Sequence, residues 1–272
     1  MERGVIVSIQ ILPSDWNETE FQPVNVSEFS LFKVDTGIQG YIMGKSVCGC
    51  YSLTVNPKDV DFADRLIDFI RYENAHGRCV YILSPDYDVS EILRQHEPVE
   101  GLRKTDLPYA THSTTLTAYG SIVREGCLKS AAHLRREGIA QKAIGLFPLG
   151  EPDDYLDYVM FAPMDGWGSA IEIVVNSWLR GEVCYDPQAP YTPQARMYFD
   201  AHKIITDGLA VRDGVHSLKV YDSLLLKDYL LLTVFEKDVM LPAASDYWTP
   251  TNFTDQANEF FLKYIKNREV SK

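Results

Sequence analysis

The residues best suited to chemistry gather at His112-Ser113-Thr114, inside the stretch Tyr109–Gly126. An imidazole next to two hydroxyls offers ring nitrogens and alcohol oxygens at one point of the chain, a set that hydrogen-bonds a small polar ligand. The small hydroxyls here have a second use, because one standing before a helix accepts a free backbone N–H of its first turn. Arg135-Arg136, near Lys129 and His133, is a cationic cluster able to act as a local basic pocket for phosphate. Cys127 follows a helix-ending glycine and is conceivable as a nucleophile, but no histidine partner is recognisable, so it reads as structural. Cys48 and Cys50 are the two cysteines close in sequence, and no second Cys/His pair stands at zinc spacing. They read as reduced structural thiols, and no metal site is expected.

Elements must hold these groups in place. Tyr109–Thr114 reads as a short strand that ends at the histidine and hydroxyls. An amphipathic helix follows, with Leu116, Tyr119 and Val123 on one face, Ile122 beside it, and Gly126 suited to a left-handed end. Before it, residues 1–100 read as a small α/β domain. Strands are expected at Gly4–Leu12, Phe29–Val34, Gly40–Ile42, Cys50–Val55 and Cys79–Leu83. A helix is expected from Asp59 to Asn74 on the stripe Val60, Ala63, Leu66, Ile67 and Ile70, and a short one capped by Asp88 or Ser90. Glu97–Pro108, with its prolines, glycine and mixed charges, is the expected boundary, and residues 109–272 form the second domain. That domain continues with a polar helical segment to Gly138. Strand-like blocks follow at Tyr158–Ala162, Ala170–Val175, Arg196–Phe199, Lys203–Thr206, Leu218–Tyr221 and Tyr229–Phe235. Between them Glu182–Pro193 reads as ordered turn, and Asn252–Asn267 is an amphipathic terminal helix. Many short strands after early helices predict an α+β fold with a split or sandwiched sheet.

Three stretches resemble one family. Tyr109–Gly126 is similar to the opening of the NAD-binding fold in ADP-ribosyltransferases and RNA 2′-phosphotransferases, where a strand carrying His-Gly-Thr or His-Gly-Ser precedes a helix. Asp157-Tyr-Val-Met-Phe-Ala162, then Gly166-Trp-Gly-Ser-Ala-Ile-Glu-Ile173, resembles the Tyr-Phe-Ala strand and following helix of poly(ADP-ribose) polymerases, with Met160 where the tyrosine would be. Glu172-Ile-Val-Val is also reminiscent of a 2′-phosphotransferase strand. Val220-Tyr221-Asp222 with Tyr229-Leu230-Leu231 resembles the polymerase strand that carries the catalytic glutamate, a position taken here by Ser217. A serine hydrogen-bonds a ribose but brings no negative charge to the reacting carbon.

The resemblance, over about residues 109–235, implies an ADP-ribosyltransferase-like split β-sheet and NAD as cofactor. It makes His112, His216 and Ser217 candidate catalytic residues, with Asp213 close by. His112, Ser113 and Thr114 become contacts for a ribose hydroxyl and the nicotinamide amide, Phe161 or Tyr198 a stacking face, and Arg135, Arg136 or Arg196 phosphate ligands. The implied activity is ADP-ribosylation of a protein or nucleic acid by an NAD-dependent enzyme. Alternatives stand beside it. One is a catalytically degenerate module binding a nucleotide or protein, and the other an RNA 2′-phosphotransferase-like enzyme, which needs a basic winged-helix-like N-terminal lobe that residues 1–100 do not resemble. An acidic docking partner for a basic protein, without nucleotide affinity, is a third.

Composition bounds these readings. Hydrophobic residues make up 46% of the chain and aromatic residues 12%, enough for a packed core. The net charge of −12 repels phosphate backbones, so broad nucleic-acid binding is not expected. No apolar run spans a bilayer, and the first residues lack the layout of a signal peptide, so a cytoplasmic protein without membrane contact is expected. Phosphate-loop, nucleophile-elbow and zinc-helix signatures do not occur.

Overall fold

The computed structural model of the chain describes residues 8–17, 19, 25–139, 151–164, 194–216, 218–239 and 252–270. Ser217, the Gly166–Ile173 motif, the Ala170–Val175 block and the Glu182–Pro193 loop lie outside them. The chain forms two compact units, and two later excursions belong to the first. That unit comprises residues 1–105, 149–155 and 212–216, and the second comprises 106–148, 156–211 and 217–272. A largely parallel sheet in one and an antiparallel sheet in the other make the chain α+β.

In the first unit, β1 (Ile9–Ile11), β2 (Phe29–Val34), β3 (Tyr41–Lys45), β4 (Tyr51–Val55) and β5 (Cys79–Leu83) lie in the order β1-β5-β2-β4-β3. All neighbours are parallel except β3, which closes the edge antiparallel to β4. Strands β2 and β4 are mostly apolar and almost wholly buried, as expected of strands covered on both faces. Helix α1 (Phe62–Ala75) buries Phe62, Leu66, Phe69 and Ile70, with Phe69 5.8 Å from the Phe32 ring of β2. Val60, expected to begin that stripe, is 90% exposed because the helix starts two residues later. Gly77 at φ +78 ends α1, and Arg78 donates its backbone N–H to Glu73 O at 2.9 Å. Short helix α2 (Ser90–Gln95) is fixed by Asp88, whose carboxylate accepts from Ser90 N at 2.8 Å.

A polar network runs through this unit. Glu73 is fully buried and accepts from the Ser30 hydroxyl and from Arg78, whose Nη1 also reaches Asp154 Oδ1 at 2.6 Å. Tyr72 donates its hydroxyl to Asp154 at 2.6 Å. The 212–216 excursion is held by Arg65 of α1, which donates to Gly214 O at 2.9 Å while its guanidinium lies 4.0 Å from the Tyr41 ring centre. Tyr51, Tyr72 and Tyr155 pack edge-on around this network.

The second unit has β6 (Tyr109–Thr114), β7 (Cys127–Lys129), β8 (Tyr158–Pro163), β9 (Ala195–Asp200), β10 (Ala210–Val211), β11 (Leu218–Tyr221), β12 (Ser223–Leu225) and β13 (Leu230–Phe235). Six of them form one sheet in the order β10-β11-β8-β6-β9-β13, and β7 pairs with β12 in a separate ribbon. Every pairing among these described strands is antiparallel. Among the described residues its helices are α3 (Leu116–Glu125), α4 (Ala131–Arg136), α5 (Ala201–Thr206), α6 (Leu226–Tyr229) and α7 (Asn252–Val270). One sheet face carries Ala110, Phe161, Met197, Phe199, Leu218 and Val220 into a core shared with Ile204 and Ile205 of α5. The other carries Tyr198 and Val234 against Phe253, Ala257 and Phe261 of α7, with the Tyr198 and Phe261 rings stacked 4.1 Å apart.

Three local expectations change here. Lys203–Thr206 is helical, because Asp200 caps a turn by accepting from Lys203 N at 2.9 Å and Ile204 and Ile205 then both reach the core. Strand β7, unforeseen after Gly126, exists only through its pairing with β12. In α3 the packed residues are Tyr119 and Ile122, while Leu116 and Val123 are each 48% exposed. Among the described residues no helix is long and apolar enough to cross a membrane.

Candidate functional site around His112

Strand β6 lies inside its sheet, between β8 and β9, so its position is set by hydrogen bonds on both sides. It leads directly into α3. The capping hydroxyl is that of Thr115, which accepts from Ala118 N at 3.3 Å, and the helix ends on Gly126 at φ +71. Ser113 and Thr114 are thus strand residues, released from capping.

Alternation along β6 divides the candidates between two faces. His112 pairs with Met197 and Thr114 with Ala195, on the face that carries Phe161. The His112 ring meets Phe161 edge-on, with ring centres 6.3 Å apart. Burial holds the imidazole below the ordinary histidine range, since the cation would lose its hydration, and the hydrogen bond to the Met160 backbone opposes this only in part. A neutral ring bonded through one nitrogen to a carbonyl presents the other nitrogen as an acceptor.

Ser113, Arg196 and Tyr198 occupy the opposite face. Arg196 is 1% exposed and donates through Nη1 to Ser113 Oγ at 2.9 Å and through Nε to Asn258 Oδ1 at 3.1 Å. Tyr198 donates its hydroxyl to the same Asn258 oxygen at 2.9 Å, and burial pushes its ionisation up to about 12. Asn258 in turn donates to Met164 O at 2.6 Å. This cluster clamps α7 to β6 and β9. A single ligand therefore cannot touch both His112 and Tyr198 from one side of the sheet.

The cationic pair sits on α4, a helix capped by Ser130, whose hydroxyl accepts from His133 N at 3.1 Å. Arg135 is exposed, whereas Arg136 is ion-paired with Asp222. Asp222 also accepts from His133 Nδ1 at 2.8 Å, and its carboxyl is held below the usual range: some burial raises it, but His133 and Arg136 prevail. Its φ of 61 is left-handed, a conformation Asp tolerates better than most residues. Two backbone bonds fix it there, from Ser130 N to its carbonyl and from its own N to Asp157 O, both 2.8 Å. Lys129 is tied to Glu125 and Glu137.

His216 belongs to the first unit. Its Nδ1 is 2.9 Å from Asp213 Oδ2, and its ring packs 5.6 Å from Tyr155. Asp213 is fully buried and also accepts from the N–H groups of Val215 and His216. This is a turn closed on its own carboxylate. Among the described residues no three His, Cys, Asp or Glu side chains converge as metal ligands would.

No family model, characterised protein or solved structure matches this chain. Two residues have roles here that the sequence did not assign, although Asp222 stands in the Val220–Asp222 motif. Asn258 follows Ala257 on the 253-257-261 apolar stripe, and an amide beside such a stripe is the one local sign that it is buried and bonded. Asp222 carries no local sign, because its role depends on α4.

Proposed function

We propose that the chain is an NAD-dependent ADP-ribosyltransferase-like enzyme that modifies a protein or a nucleic acid, built on an ADP-ribosyltransferase-like antiparallel sheet. One observation carries this reading. The stretches that bear the resemblance, at Tyr109–Gly126, Asp157–Ala162 and Val220–Asp222, contribute the consecutive strands β6, β8 and β11, although they are distant in sequence. The neutral His112 ring suits a ribose hydroxyl, which can donate to its remaining nitrogen. Thr114 shares that face, and Phe161 supplies an aromatic edge. Exposed Arg135 is the phosphate-binding candidate of the pair, since Arg136 is engaged by Asp222. Ser113, Arg196 and Tyr198 then support the strand from behind. Bound NAD would supply a ribosyl carbon whose leaving group departs as neutral nicotinamide.

Ser217 at the position of the family's glutamate and Met160 at that of its tyrosine favour a second reading, a nucleotide-binding module without turnover. A 2′-phosphotransferase-like activity has less support, because the first unit is built on a largely parallel α/β sheet rather than a winged helix. The deciding measurement is nicotinamide release from NAD with lysate as acceptor source, wild type against His112→Ala, beside NAD-induced changes in melting temperature. Release that the variant loses supports the enzyme. A melting shift without release supports the binding module, and neither signal sinks both.

A further inference from the structure

The hairpin joining β3 to β4 has the sequence Ser46-Val47-Cys48-Gly49-Cys50. Ser46 N donates to Cys50 O at 2.9 Å and Gly49 N to Ser46 O at 3.0 Å, and Gly49 stands at φ +87. That is a three-residue hairpin loop closing on a left-handed glycine, among the better-defined loops available to two antiparallel strands. Gly49 is required by its backbone and not by crowding, since an added Cβ would meet only Val26 Cγ1 at 3.7 Å. The loop brings the two thiols together. Cys48 Sγ lies 3.3 Å from Cys50 Sγ, and the Ser46 hydroxyl bonds both, at 3.0 and 3.1 Å. Strand alternation alone would leave side chains two residues apart parallel and separate; here the left-handed glycine turns the sulfurs toward each other.

Access to the two sulfurs is unequal. Cys50 is 1% exposed, packed with Leu12, Phe29 and Leu31, whereas Cys48 is half-buried beside Val47, which is 72% exposed. We propose that Cys48-Gly49-Cys50 is a reversible dithiol–disulfide site, with Cys48 as the exchanging thiol and Cys50 as the resolving one, acting on small disulfides of the glutathione class. Cys48 thiolate attacks one sulfur of the incoming disulfide, and that S–S bond breaks to release one thiolate, which takes up a proton. Cys50 thiolate then attacks Cys48 Sγ of the mixed disulfide and releases the second thiolate. The two cysteine thiols are oxidised, one external disulfide is reduced to two thiols, and two protons pass from the cysteines to them.

The test equilibrates the full chain in glutathione buffers from fully reduced to strongly oxidised, quenches with acid, alkylates, and maps the peptides by mass. In wild type the peptide with Cys48 and Cys50 should lose both alkylation sites together, while Cys79 and Cys127 stay alkylated. In Cys50→Ser, Cys48 should accumulate as a glutathione adduct that wild type lacks. The proposal is overturned if wild type keeps two alkylated thiols in the most oxidising buffer. A glutathione adduct on wild type without an internal disulfide would overturn it equally.

Discussion

Gly214→Ala tests how the 212–216 excursion is held in the first unit. Gly214 has φ +74, and a Cβ there would stand 2.3 Å from Arg65 O and 3.0 Å from both Phe69 N and Phe69 Cβ. Those atoms belong to α1 or its backbone, so no flexible side-chain end can move aside. Gly77, in the same unit, has φ +78 with nothing within 4 Å of an added Cβ. Gly77→Ala therefore reports the backbone strain alone, about 1–2 kcal/mol for a side chain in the left-handed region. Gly214→Ala adds an overpacking term of about 1–3 kcal/mol. The expected total is roughly 2–5 kcal/mol, with Arg65 forced off its bond to Gly214 O. Urea unfolding followed by far-ultraviolet circular dichroism, extrapolated to water, measures both variants. If they agree within about 0.5 kcal/mol, the close docking of Gly214 on α1 is wrong.

Two further outcomes follow from buried charge. Arg78→Met strands the fully buried Glu73 and should cost about 3–5 kcal/mol; adding Glu73→Gln should restore much of this in the same urea assay, and a single-variant loss below about 1 kcal/mol would refute the account. His112 binds its proton less tightly folded than unfolded, so its contribution is complete above about pH 6.5 and is lost as pH falls through the lowered folded value. Melting temperature from pH 7.5 to 5 should consequently fall more steeply in wild type than in His112→Gln, and parallel curves would refute the desolvation of this half-buried imidazole.

Much of the local structure was legible in the chain. Phe29–Val34, Cys79–Leu83 and Leu218–Tyr221 form strands with the expected ends, because a short apolar run flanked by turn residues has few other ways to hide. The helix after His112 was equally plain, with a hydroxyl cap before it and Gly126 after it. Both signals act over a few residues, which is the range a sequence encodes directly. Lys203–Thr206 went wrong because its apolar residues suit either state, and only the Asp200 cap and the core beneath Ile204 and Ile205 choose the helix.

The candidate site was legible as residue types and not as a surface. The sequence by itself determined that His112, Ser113 and Thr114 are contiguous in a strand, and contiguity in a strand means alternate faces. It did not determine which face each takes, or that Arg196 and Tyr198 share Ser113's side beneath α7. Strand order decided that, since β9 and β8 reach β6 from distant parts of the chain and their registers fix which side chains meet. Asp222 and Cys48 show the same division. Each is an ordinary polar residue until a left-handed backbone, at Asp222 itself and at Gly49, turns it toward a partner that only the folded chain provides.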